Sequence, residues 1–548
     1  MRKSLPIGID NFEHLIREGC YYVDKTNILE ELITNKSKVK LFPRPRRFGK
    51  TITLSMIDYY FNRKKEEVSR NLFKGLYIET SEIGRKEKSK YPVITINLKS
   101  VKGNNLEETL KLVKNKVSNL YEENSEVKAV LTSNELITYE NIENKTADHE
   151  DYQWSLKSLT KYLERYYQEK VIVLIDEYDV PIDNSYHKGF YTEVIQFFRG
   201  MYSEVLKTND SLKFAVMTGV VRVSSESMFS ELNHLRVYGI TDSHFSEYFG
   251  FTDEEVVECL QYYELEDTIE GVRTWYNGYL FGKTKIYNPW SIINYVENEK
   301  LKPYWVNTGE NLLLKKVLRS GYNSMKSGLV KLLNGEELDY IIDENISYRE
   351  LDDSEETVMT MLFLTGYLTS TGEDTIDDLE YRTLKIPNKE VRMELKKNIH
   401  SWLKNTGIST YYERFKIAVL EGDYKDMEEV LNEMLFRTVS FHDNQEALYH
   451  GIVLCMLIHF GEGYLVKSNR EAGYGRYDLT IEAKDGSFGA VLEFKIARTE
   501  EELEAKARLA IEQIEKKQYV ADLEERNVGT IRKFGIAFTI KQAKVLPG

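Results

Sequence analysis

Short apolar runs alternate along the chain with longer segments in which apolar residues recur every three or four positions. Four runs in the first 220 residues are rich in β-branched and aromatic residues: 39–42, 93–98, 171–175 and 214–218. Runs without strict polar alternation are typical of parallel strands buried on both faces. Helical patterns such as residues 54–61 and 106–117 fall between them. This order predicts an α/β domain built on a parallel sheet.

The pattern changes twice further along the chain. From residue 243 the spacing becomes mostly helical, with many Glu, Lys and Leu residues. After residue 430 a helical pattern precedes three strand patterns, a further helix and a last strand, at residues 447–458, 464–467, 477–482, 490–494, 500–520 and 534–539. We therefore predict three domains: an α/β domain over residues 1–242, a mainly helical connecting or lid region over 243–430, and a second α/β domain over 431–548.

Composition supports a globular, multidomain protein. The chain has 548 residues, of which 42% are hydrophobic and 30% are charged, so two or more cores are expected. The three cysteines, Cys20, Cys259 and Cys455, are too widely spaced to indicate a disulfide framework or a thiolate metal site, which favours a reducing, cytoplasmic location. The longest apolar stretch, residues 452–458, is far shorter than the roughly 20 residues of a membrane helix, so no membrane contact is expected.

The net charge of −14 argues against a protein that coats nucleic acid over its whole surface. The charge is uneven, because residues 431–548 hold 16 Lys and Arg against 18 Asp and Glu. The C-terminal part is therefore less repelled by a polyanion, and a local nucleic-acid site remains open there.

A phosphate-binding loop is predicted where the first strand ends. Gly49, Lys50 and Thr51 lie between that strand and a helical pattern. In such a loop the helix amides face a β-phosphate, an exposed Lys50 would reach the β- and γ-phosphates, and Thr51 would hold Mg²⁺. The usual pattern G-x-x-x-x-G-K-[ST] is altered because Arg44 replaces its first glycine, so ATP binding is better supported than rapid hydrolysis.

The strand at residues 171–175 leads into Asp176 and Glu177. Acidic residues at the carboxyl end of a parallel strand lie near the phosphate crevice, where Asp176 could order a Mg²⁺-bound water and Glu177 could activate the attacking water. Thr218 ends the next strand and could sense the γ-phosphate, and Arg222 could stabilise charge.

Positive charge just before Lys50 also favours a polyanion at the loop, since Arg44, Arg46 and Arg47 all occur there. These arginines could equally meet a neighbouring subunit or DNA. The predicted nucleotide-binding residues are Arg46, Arg47, Phe48, Gly49, Lys50, Thr51, Asp176, Thr218 and Arg222. The simpler interpretation is that Gly-Lys-Thr merely starts a helix and that Asp-Glu is a solvated strand end.

A second constellation lies in the C-terminal domain. Asp478 is on one predicted strand, and Glu493 and Lys495 are on the next. Because side chains alternate along a strand, residues 493 and 495 share a face, and hairpin pairing can bring Asp478 beside them. Two carboxylates can hold Mg²⁺ or Mn²⁺, and Lys495 can orient a nucleophilic water. The alternative is an ordinary cross-strand ion pair on the exposed face of an edge strand.

Three further residues are candidates to support this constellation. Glu446 could add a third carboxylate to the metal site. Gln513 and Tyr519, on the later helix, could support the site or contact nucleic acid.

Together these motifs resemble a bacterial and archaeal family in which an AAA-type ATPase-like domain is fused to a PD-(D/E)XK nuclease-superfamily domain. The matching N-terminal residues are the runs 8–12, 22–26, 44–51 and 176–179, Pro181, Thr218, Gly219 and the run 287–291. The matching C-terminal residues are the runs 449–451, 475–478 and 493–495, with Gln513, Ile514 and Tyr519. The resemblance implies a P-loop NTPase fold at one end and a restriction-endonuclease-like core at the other. Tyr477 replaces the superfamily's proline and leaves Asp478 in place.

The leading functional hypothesis is a protein that binds and hydrolyses ATP and whose C-terminal domain is a Mg²⁺-dependent nuclease under nucleotide control, suited to defence or mobile-element biology. Its catalytic residues would be Asp478, Glu493, Lys495 and Glu177. Its metal ligands would be Thr51 and Asp176 at the nucleotide and Glu446, Asp478 and Glu493 at the nuclease site. Nucleic acid is the expected partner, with DNA favoured over RNA, and a homo-oligomer stays open. The alternatives are a non-cleaving, nucleotide-dependent switch that binds nucleic acid or protein, and an oligomeric motor on DNA.

Overall fold

The computed structural model describes residues 2–222, 235–305, 328–329, 331–333, 335–345, 348, 354–376, 379–405, 409–438, 460, 463–472, 475–518, 520–539 and 542–548. The chain forms two compact units. The first comprises Met1–Val306, Tyr340–Arg382 and Pro387–Glu390, and the second comprises Asn307–Asp339, Thr383–Ile386 and Val391–Gly548. The predicted middle region is thus shared between the two units, and the domain boundaries at residues 242 and 430 stay predictions.

The first part of the chain has the predicted alternation of strands and helices. Its strands are β1 (Val39–Pro43), β2 (Val93–Asn97), β3 (Val171–Asp176), β4 (Leu212–Gly219) and β5 (Leu235–Val237). Its helices are α1 (Phe12–Arg17), α2 (Asn27–Thr34), α3 (Lys50–Phe61), α4 (Glu66–Leu72), α5 (Glu82–Glu87), α6 (Leu106–Glu123), α7 (Ser133–Glu143), α8 (His149–Tyr167), α9 (Val180–Lys188) and α10 (Tyr191–Leu206).

These five strands form one sheet in the order β2-β3-β4-β1-β5, and every neighbouring pair is parallel. The four strands predicted from the apolar runs are confirmed, whereas β5 is too short and too exposed to stand out in the sequence. Thr218 pairs with Phe42 of β1, and Asp176 pairs with Asn97 of β2. The carboxyl ends of four strands therefore meet at one edge of the sheet.

A helical segment joins β2 to β3, and its core depends on tyrosines. Tyr121, Tyr139 and Tyr152 are fully buried in a stretch whose composition is otherwise polar. The Tyr121 hydroxyl donates to the Ser155 carbonyl at 2.8 Å, and the Tyr139 hydroxyl donates to the Tyr121 carbonyl at 2.5 Å. Each ring can fill the core because its hydroxyl finds a backbone acceptor.

The middle of the chain contains the predicted helices together with small sheets that the sequence pattern did not indicate. The helices are α11 (Asp253–Tyr262), α12 (Ile269–Tyr276), α13 (Pro289–Asn298), α14 (Glu355–Leu364), α15 (Lys389–Asn405), α16 (Ser409–Glu421) and α17 (Tyr424–Thr438). The strands are β6 (Tyr279–Phe281), β7 (Thr284–Ile286), β8 (Leu338–Ile341), β9 (Thr369–Ile376) and β10 (Leu379–Lys385). Strands β6 and β7 pair antiparallel, and the other three form a sheet in the order β8-β10-β9.

The C-terminal part is a five-stranded mixed sheet with helices between its strands. The elements are β11 (Tyr464–Ala472), β12 (Gly475–Ala483), β13 (Phe488–Ile496), α18 (Leu503–Lys516), α19 (Ala521–Glu525), β14 (Thr530–Phe538) and β15 (Ala543–Pro547). The strand order is β11-β12-β13-β14-β15, and only β13 and β14 pair in parallel. The predicted strands are confirmed and β15 is an addition, while the helix predicted at residues 447–458 lies outside the described residues.

Helix α18 packs closely on one face of this sheet. Ile514 of the helix packs with Val491 of β13. Gly535 of β14 permits this approach, because a Cβ atom at that position would lie 2.3 Å from the Ala507 carbonyl oxygen of the helix. Within the described part of the chain, no helix combines the length and the apolar character needed to cross a membrane.

Candidate functional site

The loop between β1 and α3 turns sharply where the helix begins. Gly49 has a left-handed backbone, with φ at +85°, and directly precedes the first residue of α3. Arg47 is also left-handed, with φ at +69°. The turn leaves the first amide groups of a 12-residue helix at the carboxyl edge of the sheet, and such groups attract anions.

Lys50 lies on the inner side of this loop and is only 4% exposed. Its ammonium donates to the Arg44 carbonyl at 3.0 Å and to the Pro45 carbonyl at 3.1 Å. The expectation of an exposed lysine was therefore wrong, because the loop wraps around the side chain. An ammonium has three N–H donors, and these two contacts keep its charge beside the helix N-terminus.

The buried carboxylate of Asp176 joins three other elements of the site. It accepts hydrogen bonds from the Thr51 hydroxyl at 2.9 Å, the Asn97 amide at 2.7 Å and the Thr218 hydroxyl at 2.6 Å. Burial raises the pKa of Asp176 and the nearby Glu177 charge adds to this, while the bonds from Thr218 and Thr51 oppose it. The structure thus brings together the three predicted residues Thr51, Asp176 and Thr218.

The turn after β3 is fastened to the end of β4. Glu177 has a left-handed backbone, with φ at +55°, and a half-buried side chain. Asp179 is buried and accepts from the backbone amides of Val220 at 2.8 Å and Val221 at 3.1 Å. Burial, reinforced by the Glu177 charge, raises the pKa of Asp179 to about 7. Arg222 follows directly and is half-buried, so these bonds fix the position from which its side chain extends.

Arg44, which replaces the first glycine of the usual phosphate-loop pattern, faces the protein core. Its side chain is fully buried, and its guanidinium donates to the carbonyls of Pro43 at 2.9 Å, Tyr238 at 2.7 Å and Phe245 at 3.3 Å. The charge also lies 5.2 Å from the ring centre of Phe249. Burial lowers the pKa of Arg44 to about 10. The expectation that Arg44 adds positive charge at the loop was wrong, because the guanidinium points into the core and supports the loop through its bonds to core carbonyls.

The other loop residues differ in how much they present to a ligand. The Arg46 side chain is exposed, whereas Phe48 is fully buried against the rings of Tyr279 and Phe281. Phe48 can therefore contribute only its backbone to a ligand. The guanidinium of Arg47 lies 4.5 Å from the ring centre of Trp290, and burial lowers its pKa.

Residues far along the chain also hold the loop, and sequence reasoning assigned them no role in the site. The side-chain amide of Asn288 and the indole N–H of Trp305 each donate to the Arg46 carbonyl at 3.3 Å. Asn97, the third partner of Asp176, was missed as well. Its signal was a polar residue at the end of a predicted strand. Asn288 lies in the run 287–291 that carries the family resemblance but had no assigned role, and nothing local marks Trp305.

In the C-terminal sheet, the register of β12 and β13 agrees with the predicted pairing. Leu479 pairs with Leu492, and Thr480 pairs with Val491. Continuing this antiparallel register by one residue sets the backbone of Asp478 opposite Glu493. The side chain of Asp478 lies outside the described part of the structure.

Glu493 and Lys495 lie on one face of β13, as the period of two predicts. The Lys495 ammonium donates to the Glu493 carboxylate at 2.8 Å. Glu493 is 1% exposed because α18 covers this face, and its strand partner Gly535 lets the helix approach. The Lys495 side chain is 28% exposed, so the pair joins a buried carboxylate to a partly exposed lysine.

The remaining candidates for this site are less defined. Glu446 and Tyr519 lie outside the described residues, and Gln513 is half-buried on α18. Among the described side chains, no group of three or more acidic, histidine or cysteine residues is close enough to hold a metal ion. Metal binding by Asp478, Glu493 and Glu446 therefore stays a prediction.

Comparisons with known proteins agree with both ends of the chain. Residues 6–229 match the family described as predicted AAA-ATPase, and residues 444–546 match the PD-(D/E)XK nuclease superfamily. A protein of Azotobacter chroococcum mcd 1, named "Uncharacterized protein in vnfD 5'region", is 27% identical over 556 residues, covering 98% of this chain and 97% of that protein. The chain thus joins an AAA-ATPase-like domain to a C-terminal PD-(D/E)XK nuclease-superfamily domain.

The buried position of Arg44 yields a stability prediction. Arg44→Ala should lower the free energy of unfolding by about 2–4 kcal/mol, because it leaves a cavity and three carbonyls without their donor. Urea unfolding followed by tryptophan fluorescence measures the change. Lys38→Ala, at an exposed side chain just before β1, is the control and should change stability by about 0.5 kcal/mol or less. Equal stabilities of the two variants would contradict a bracing role for Arg44.

Proposed function

We propose that the N-terminal domain binds ATP with Mg²⁺ and that the C-terminal domain is a metal-dependent nuclease whose cleavage of phosphodiester bonds is under nucleotide control. One observation supports the proposal that the N-terminal domain binds ATP. The buried Asp176 carboxylate gathers the Thr51 and Thr218 hydroxyls at the N-terminus of α3, beside the Lys50 ammonium. Defence against mobile elements is a setting in which a nuclease would need such control.

The donor set at this edge fits a nucleotide and a divalent cation. The first amides of α3 and the Lys50 ammonium suit phosphate oxygens, and the Thr51 hydroxyl and Asp176 carboxylate are oxygen donors of the kind that Mg²⁺ prefers. Bound Mg²⁺ would neutralise phosphate charge. Glu177 is the base we assign to the attacking water, and Thr218 and Arg222 are assigned to the γ-phosphate.

The proposal that the C-terminal domain is a nuclease is supported by the ion pair between Glu493 and Lys495. Glu493, Asp478 and Glu446 are the residues we assign to a Mg²⁺ or Mn²⁺ ion, which would stabilise charge on the phosphodiester. Lys495 retains N–H donors beyond the one bonded to Glu493, and we assign it to orienting the attacking water. Nucleic acid is the substrate class, with DNA favoured over RNA.

A non-cleaving, nucleotide-dependent switch is the second candidate. The observation in its favour is that the Lys495 ammonium lies 2.8 Å from the Glu493 carboxylate. This contact is also what an ordinary structural ion pair within one strand would show. The net charge of −14 also favours it. In that case the C-terminal fold would bind nucleic acid or protein without cutting it.

Lys50→Ala tests the nucleotide site. We expect ATP affinity to fall by at least about 100-fold, because the substitution removes the ammonium at the phosphate position. Calorimetric titration with ATP and Mg²⁺ measures affinity, and circular dichroism checks that the fold persists. Lys38→Ala, an exposed lysine just before β1, should bind ATP like the wild type. ATP binding by Lys50→Ala at wild-type affinity would refute the assignment of the phosphate loop.

Lys495→Ala tests the nuclease site. Both proteins are incubated with linear double-stranded and single-stranded DNA in Mg²⁺ or Mn²⁺. We expect the wild type to cleave the DNA, and we expect the cleavage rate of the variant to be lower by about 100-fold or more. Lys484→Ala, at the exposed turn between β12 and β13, should cleave like the wild type. Undiminished cleavage by Lys495→Ala would reject its catalytic role, and no cleavage by the wild type on any substrate would favour the non-cleaving switch.

A further inference from the structure

Glu390 is a buried carboxylate of the first unit that the proposed chemistry does not use. It is 1% exposed, and one of its oxygens accepts from the backbone amides of Tyr304 at 2.5 Å and Trp305 at 2.7 Å. Its other oxygen accepts from the Ser291 hydroxyl at 2.8 Å. Burial raises the pKa of Glu390 to about 7, and these donors oppose the rise. A buried carboxylate needs such donors, so Glu390 ties residues 304–305 to α13.

The groups that this carboxylate holds also contact the phosphate loop. The indole of Trp305 donates to the Arg46 carbonyl at 3.3 Å, and the Arg47 guanidinium donates to the Tyr304 carbonyl at 3.1 Å. Asn288, which caps α13, donates to the same Arg46 carbonyl at 3.3 Å. One residue, Tyr304 or Trp305, therefore separates the carboxylate from the loop along the first two routes, and two residues, Ser291 and Asn288, separate it along the third.

Glu390 also occupies a particular place in the chain. It is the second residue of α15 and the last residue of the first unit, and the same helix continues from Val391 as part of the second unit. Just before the helix, the Pro387 carbonyl approaches Gly278 so closely that a Cβ atom there would lie 2.0 Å away. The start of α15 is thus held firmly, and a hydrogen-bonded helix passes a displacement of its first turn to the turns that follow.

We propose that Glu390 is a positioning residue that sets the conformation of the phosphate loop and transmits its nucleotide state to α15. The inference rests on the proposed ATP site. Phosphate oxygens at the loop attract Arg46 and Arg47, and this attraction competes with the contacts that join the loop to Tyr304 and Trp305. A change in those contacts alters the amides bonded to Glu390, and through Glu390 the first turn of α15.

Amide hydrogen exchange of the full-length protein, with and without ATP and Mg²⁺, tests the proposal. We expect ATP to change the exchange rate of α15 amides by roughly fivefold or more in the wild type. Glu390→Gln keeps an oxygen acceptor but removes the carboxylate charge, and it should bind ATP more weakly and lose the response in α15. Glu394→Gln is the matched control, because Glu394 is equally buried on the same helix but bonds Asn398 within that helix, and it should respond like the wild type.

A second variant covers the case in which Glu390→Gln fails to fold. Trp305→Phe keeps an aromatic ring against Tyr367 but removes the N–H that bonds the Arg46 carbonyl, so it should also lose the response in α15. A calorimetric ATP titration in parallel distinguishes failure of the relay from failure of the nucleotide site. If ATP binds the wild type and α15 exchange does not change, or if a folded variant keeps the full response, the relay is overturned. If ATP does not bind the wild type, the proposed nucleotide site itself fails, and the relay with it.

Discussion

The proposed nucleotide site depends on one buried carboxylate, that of Asp176. A carboxylate with 2% exposure is costly to keep unless donors surround it. Thr51, Asn97 and Thr218 supply those donors from α3, β2 and β4, so one side chain fixes the phosphate-loop helix against two strands of the sheet. The parallel strand order makes this possible, because the carboxyl ends of β1, β2, β3 and β4 meet at one edge. The same geometry that satisfies the carboxylate suits the phosphate and Mg²⁺ that we propose for this edge.

The loop at this edge is also held by Arg44, which bonds the core, and by two residues from a later part of the chain. Arg44, in place of a glycine, turns its guanidinium into the core and bonds three carbonyls there. On the other side, Asn288 and Trp305 bond the Arg46 carbonyl. Asn288 and Trp305 therefore help to hold the proposed nucleotide site, although they lie 242 and 259 positions beyond Arg46 in the chain. A loop held by so many distant groups is suited to report its occupancy, as we infer for Glu390.

Local patterns were sufficient to predict most strands of the two five-stranded sheets and the order of the elements there, but not the small sheets formed by β6 to β10. The face shared by Glu493 and Lys495 followed from the strand period alone. The burial of Arg44 and the position of Glu390 could not be predicted in this way, because their partners are distant in sequence and become neighbours only when the chain folds. The strands β5 and β15 were missed for a different reason. β5 has only three residues, and each strand runs along the edge of its sheet, where it carries too few buried side chains to mark a pattern.

One chain thus carries an AAA-ATPase-like domain and a nuclease-superfamily domain, and the central claim is that the first controls the second. The initial rate of DNA cleavage by the full-length protein in Mg²⁺ or Mn²⁺, measured with and without ATP, tests this claim most directly. Nucleotide control predicts that ATP changes the rate by roughly fivefold or more in the wild type and leaves the rate of Lys50→Ala unchanged. Cleavage by the wild type at the same rate with and without ATP would contradict it.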